Sequence, residues 1–258
     1  MTVEAGTAPR RGRHILQELG FGTELVGEEL HGKAAITPQL CVPGTRKLRT
    51  SVRATWTDTV TCLLAALTFG PRVPVTLELD VHLYHPVPGA GEITAVGRKI
   101  KVGRSVFVAE VEWCVDGEPV AFGGGSFMVS PNEELRLPES MSIDMPVSGP
   151  GLTVPLAERA GCVRREPGVA VLPRTDDGLN ASRTVNGGLI ALAAEEAMLS
   201  LAPGATLSTL GLRYLQPARV GPVVAEAALR AEVARSSLRD AGNDDRVTTL
   251  ATGRLFPA

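Results

Sequence analysis

The chain has 258 residues, a formal net charge of −2, and 44% hydrophobic against 21% charged residues. That length suits one large domain or two small ones with a real core. The near-neutral balance offers no basic surface for nucleic acid, and no apolar run reaches the ~18 residues that a membrane span needs.

The N-terminal "MTVEAGTAPRRGRHILQ" has an arginine pair but no apolar stretch behind it, so residues 1–28 read as a tail and not as a targeting signal. Cys41, Cys62, Cys114 and Cys162 lie far apart without metal-ligand spacing. They read as reduced, buried thiols of a cytoplasmic protein that uses no metal or redox cofactor. A helix is predicted over roughly 48–68. Alternating strands follow in "VTLELDVHLYH", "EITAVGRKIKVG", "RSVFVAEVEW" and "PVAFGGGSFMV", with "VDGEP" as a hairpin turn. The "GGGS" at 123–126 lies inside a strand pattern and lacks the lysine of a phosphate loop. Residues 131–158, rich in Pro, Ser and acid, read as a linker that wraps one half or crosses to the other. A second helix is predicted near 184–201. Behind it come "TLSTLGLRYL", "PVVAEAALRAEVA", a short "SSLRDA" and "DRVTTLATGRLF", with a turn in "AGNDD".

The two halves repeat. "LDVHLYHP" matches "LGLRYLQP", and "VGRS" matches "VARS", both at a separation of 131 residues. Each half reads as strand, helix, four strands. The second helix is apolar on every side, as a buried helix is. The predicted class is therefore α+β: two long antiparallel sheets side by side, each wrapped around a buried helix, over 29–130 and 159–258.

The second helix opens "NGGLIALAAEE", a His-Gly-Gly-like triplet at Asn186-Gly187-Gly188 with an acid, Glu195, nine residues after the asparagine. The matching places in the first half hold Arg49-Thr50-Ser51 and Asp58. This pattern resembles the hotdog-fold acyl-CoA thioesterases of the phenylacetate-pathway and hydroxybenzoyl-CoA type, with two hotdog units in one chain. The resemblance implies a thioester hydrolase acting on acyl-CoA or acyl-carrier protein, without cofactor, working as a homodimer. It implies that the helix start receives the developing oxyanion, that the acid is base or nucleophile, and that Asn180 is the amide ahead of the triplet. It also implies a basic surface for CoA, for which Arg98, Lys99, Lys101, Arg104 and Arg235 are candidates. A solvated strand edge is the plainer reading of those charges. This chain departs from the family pattern in lacking the triplet histidine in both halves and both glycines in the first.

Gly187 and Glu195 are eight residues apart, about 12 Å along a helix, so one thioester carbon cannot reach both. Each site must take its helix start from one half and its acid from the other. One site joins Asn180, Gly187 and Gly188 to Asp58. The second joins Thr50 and Ser51 to Glu195, although Thr50 and Ser51 also fit a plain helix cap. Only one of Glu195 and Glu196 can serve chemistry; the other is expected to face solvent or an arginine. A non-catalytic acyl-CoA binder and a hotdog dehydratase stay as alternatives. The dehydratase needs a histidine at a helix, and His14, His31, His82 and His85 all fall outside the helices.

Overall fold

The computed structural model describes residues 14–139, 141–147 and 149–256; the tail through residue 13, with its arginine pair, lies outside the described residues. The first unit comprises β1 (Phe21–Val26), β2 (Glu29–Ile36), α1 (Thr50–Phe69), β3 (Pro74–Leu83), β4 (Gly91–Val102), β5 (Phe107–Val115) and β6 (Glu118–Val129). A single helical turn, α2 (Leu156–Arg159), ends the linker. The second unit has β7 (Val163–Glu166), β8 (Val169–Leu172), α3 (Gly187–Ser200), β9 (Leu207–Tyr214), β10 (Val223–Arg230), β11 (Val233–Asp240) and β12 (Arg246–Leu255). All strands join one antiparallel sheet in the order β1-β2-β4-β5-β6-β3-β9-β12-β11-β10-β8-β7. The units are related by a pseudo-twofold between β3 and β9, where Leu79 pairs with Leu212 and Val81 with Leu210. This is the α+β double hotdog expected from the sequence.

Two details differ from that reading. Each helix is preceded by two strands, not one. In the first unit the extra strand, β1, falls inside the stretch expected as tail and pairs with β2 from Phe21↔Ala34 to Val26↔Glu29, around a turn at Gly27. The long strand expected over "PVVAEAALRAEVA" is broken at Ala231, whose φ of 51° turns the chain back. β10 and β11 are thus a hairpin, and "SSLRDA" supplies most of β11. Alanine carries no turn signal, so propensity alone hides this corner.

The core lies between the helices and the concave face of the sheet. Every α3 residue from Gly188 to Leu199 is buried. Each large apolar side chain there contributes roughly 1.5–3 kcal/mol on leaving water. α1 is less apolar and threonine-rich, yet buried. Four of its hydroxyls are satisfied within the helix: Thr55, Thr59, Thr61 and Thr68 each donate to the carbonyl four residues back at 2.8–2.9 Å. The "GGG" of β6 lets α1 close on the sheet, since a Cβ on Gly125 would stand 2.8 Å from the Thr61 hydroxyl. Among the described residues no helix is long and apolar enough to cross a membrane.

Candidate active site

α1 and α3 run antiparallel, and Asp58 stands eight residues after Thr50 as Glu195 stands eight after Gly187. The pairs Glu195–Thr50 and Asp58–Gly187 are therefore equivalent places about the pseudo-twofold. The two places are filled differently.

At the α1 end, Glu195 is fully buried. Its Oε1 accepts from the Thr50 N–H at 2.8 Å and the Ser51 N–H at 3.3 Å. Its Oε2 accepts from the Ser51 hydroxyl at 2.6 Å and from Arg49 Nη1 at 3.1 Å. The positive helix start and its orphan N–H groups are thus taken by an internal carboxylate. Arg49 also contacts Glu196 at 2.6 Å, and Glu196 meets Arg164 at 2.6 Å, so both acids are arginine-paired and neither faces solvent. Arg53 is buried beside this network, with Nη2 donating to the Leu48 carbonyl at 3.3 Å; burial lowers its pKa to about 9. Thr50 and Ser51 are brought to Glu195 as the sequence implies, but no space is left there for a substrate carbonyl.

At the α3 end, Asn186 caps the helix: its Oδ1 accepts from the Gly188 N–H at 2.7 Å. No acceptor among the described residues takes the Gly187 N–H. Gly188 lies so close to α1 that a Cβ there would sit 2.4 Å from Thr55 Oγ1. Asp58, one turn on from Thr55, is partly buried and accepts from the Thr76 hydroxyl at 3.0 Å. Burial raises its pKa from the ordinary 3.8 to about 6, against the opposing hydrogen bond from Thr76. Tyr214 links the two parts. Its hydroxyl donates to the Gly187 carbonyl at 3.1 Å, and its own pKa is driven up by burial and by the Asp58 charge. Cys62, one turn past Asp58, is likewise pushed up by burial and by that charge.

Tyr214 is the site residue that sequence reasoning missed. It lies in "LGLRYLQP", the repeat used only to prove duplication, where the first half has Leu83 in the matching place. That asymmetry was the available signal. Asn180 braces its own loop: its Oδ1 accepts from the Ser182 and Thr184 N–H groups, and its Nδ2 donates to Thr184 Oγ1 at 2.8 Å. Arg98, Lys99, Lys101 and Arg104 sit on the β4–β5 hairpin, near whose tip Phe107 packs on Phe69 at the far end of α1. Arg98 is tied to Glu29 at 2.7 Å. Arg235 is exposed on β11. None of these five contacts Asp58 or the α3 start. His82 projects from the face of β3 opposite buried Val81 and stacks on Phe122, with ring centroids 4.9 Å apart. Among the described residues no group of His, Cys, Asp and Glu has the arrangement of a metal site.

Residues 51–121, which span α1 and most of the first sheet, match the model of the thioesterase superfamily. No curated protein sequence matches the chain. Among solved structures it resembles a 12:0-ACP thioesterase from Umbellularia californica, with a TM-score of 0.67 at 10% identity over 91% of this chain and 100% of that one. It also resembles an acyl-ACP thioesterase from Bacteroides thetaiotaomicron, with a TM-score of 0.61 at 13% identity over 93% of this chain and 99% of that one. The chain has the two-unit hotdog fold, and within its first unit residues 51–121 match the thioesterase superfamily.

Proposed function

We propose that this chain is a thioester hydrolase with one working site, formed by Asp58 of α1 and the start of α3. It acts in the cytoplasm on an acyl group carried by CoA or by acyl-carrier protein. One observation carries the reading: Glu195 consumes the N–H groups of the α1 start, whereas the equivalent Gly187 N–H has no acceptor among the described residues, and Tyr214, bonded to the Gly187 carbonyl, lies within the influence of the Asp58 charge.

The thioester carbonyl oxygen accepts from the Gly187 N–H, where the helix dipole favours negative charge. Ionised Asp58 takes a proton from water as the water oxygen bonds to the carbonyl carbon. The carbon–sulfur bond then breaks, and the proton held by Asp58 passes to the leaving sulfur, giving free acid and thiol. Attack by the carboxylate itself would give the same products through an anhydride. The chemistry draws on the acid, the helix start and water alone. The Tyr214 hydroxyl, donating to the Gly187 carbonyl, holds the first residue of α3 in register with Asp58.

The test is thiol release measured across acyl-CoA and acyl-carrier-protein thioesters of varied length and aromaticity. The two similar structures named as ACP thioesterases place carrier-protein substrates first in that panel. Release above background on at least one of them is expected, and failure on all of them with folded protein would refute the proposal.

A further inference from the structure

Beside the α3 start lies a cleft of about 730 Å³ that the chemistry above does not use. Two segments outside the paired helices build it: the turn Ile15–Leu19 leading into Phe21, and the linker at 144–146. Its lining mixes apolar groups with the polar His14, Gln17 and Asn180, and the floor rests on buried Trp56 and Leu19, with Phe21 stacked on Trp56 at 5.4 Å. Met145 and Leu179 line its walls.

These walls are tied to one another. Met145 pairs with Thr23 through backbone bonds of 2.8 and 2.9 Å, and the Thr23 hydroxyl donates to the Ile143 carbonyl at 2.7 Å. Arg159 clamps Glu18 and Asp177 together, at 2.7 and 2.9 Å. His14 Nε2 meets the Leu179 carbonyl at 2.7 Å. The walls of this open cleft are thus braced against one another, and its volume is of the size that ligands occupy.

Two α1 side chains bring the cleft next to the proposed reacting centre. Thr55 lines the cleft and is also the side chain packed on Gly188; Thr59, the neighbour of Asp58, lines it too. Its charge selects the occupant. Among the described lining residues there is one carboxylate, Asp144, and no lysine or arginine. A phosphorylated carrier arm seeks cations. A hydrocarbon tail seeks the apolar part of this lining.

We propose that this cleft receives the acyl tail, an apolar chain well beyond acetyl in size, while its carbonyl lies at the α3 start. The inference rests on the hydrolase reading for the position of the carbonyl. Ala181, exposed at the rim, is the residue to enlarge. Ala181→Phe is expected to lower kcat/KM for a decanoyl thioester by at least about tenfold, through KM, and to leave a butyryl thioester within about twofold. Inhibition by free CoA is expected to be unchanged. Equal effects on both substrates, or weakened CoA inhibition with an unchanged chain-length profile, would overturn the assignment. Decanoate binding separates this idea from the hydrolase reading. Of the two tryptophans only Trp56 lines the cleft, so decanoate is expected to change the emission of the unmodified protein, and to do so less in Ala181→Phe. Unchanged emission at saturating decanoate refutes the cleft assignment. Binding without hydrolysis of any thioester refutes the hydrolase reading alone.

Discussion

One methylene group separates the two acids that the repeat places at equivalent positions. Glu195 spans the gap between helices and seals the opposite helix start; Asp58 turns to Thr76 and leaves Gly187 open. The spacing of acid and triplet was legible in the sequence because helices enforce it. The roles of Arg49 and Tyr214 were not, since both depend on which side chains meet across the pseudo-twofold. Titration of Asp58 offers a direct check. Burial disfavours its ionised form and sets its pKa at about 6, above the ordinary 3.8. A base must be ionised, so kcat/KM should fall as pH drops through about 6 and level off above it. Asp58→Asn should lose that limb; a wild-type profile flat from pH 5 to 8 would count against Asp58 as the base. The stability sign follows from the same shift. The favourable contribution of protonated Asp58 is complete below pH 3.8 and lost as pH rises through about 6. Asp58→Asn, neutral at every pH, should therefore raise the Tm at pH 7.5, and an unchanged or lowered Tm there would speak against the buried charge.

At the scale of elements, the contact between α1 and α3 sets the separation of acid and helix start. Gly188 permits it, because any Cβ there would strike Thr55. Gly188→Ala should cost about 1–3 kcal/mol, as overpacking of a tight contact does. Adding Thr55→Ala should recover most of that loss, whereas two independent sites would simply add. Denaturant titration of both variants decides between these outcomes. Glu195→Gln should also be costly, because it weakens the partner of the buried Arg49 guanidinium; loss of one member of such a pair costs roughly 3–5 kcal/mol. Helix positions and most strands were legible from periodicity. The β10–β11 corner at Ala231 was not, and neither was the use of Asn180. A turn asparagine and a substrate-binding asparagine look alike until the Thr184 contacts are seen.

At the scale of the whole molecule, duplication was readable from two short motifs at one separation, and the mirrored strand order about β3 and β9 agrees with it. How the units join could not be read, because the β3–β9 pairing depends on edge strands with no turn between them. The sheet face away from the helices carries a partly exposed aromatic group, with Tyr84 57% and Phe122 42% exposed and His82 stacked on the latter. We expect two chains to cover this face in a homodimer, giving a light-scattering mass near twice 27.1 kDa; a monomeric mass at micromolar concentration refutes it. The central claim is that one of two equivalent places works and the other is sealed from within. Its most direct test is turnover of Asp58→Asn beside Glu195→Gln, both verified as folded, on the best thioester found. The account predicts a loss on the order of 10²–10⁴ for Asp58→Asn, the size of general-base removal, and less than about tenfold for Glu195→Gln. Equal losses, or a larger loss in Glu195→Gln, would contradict it.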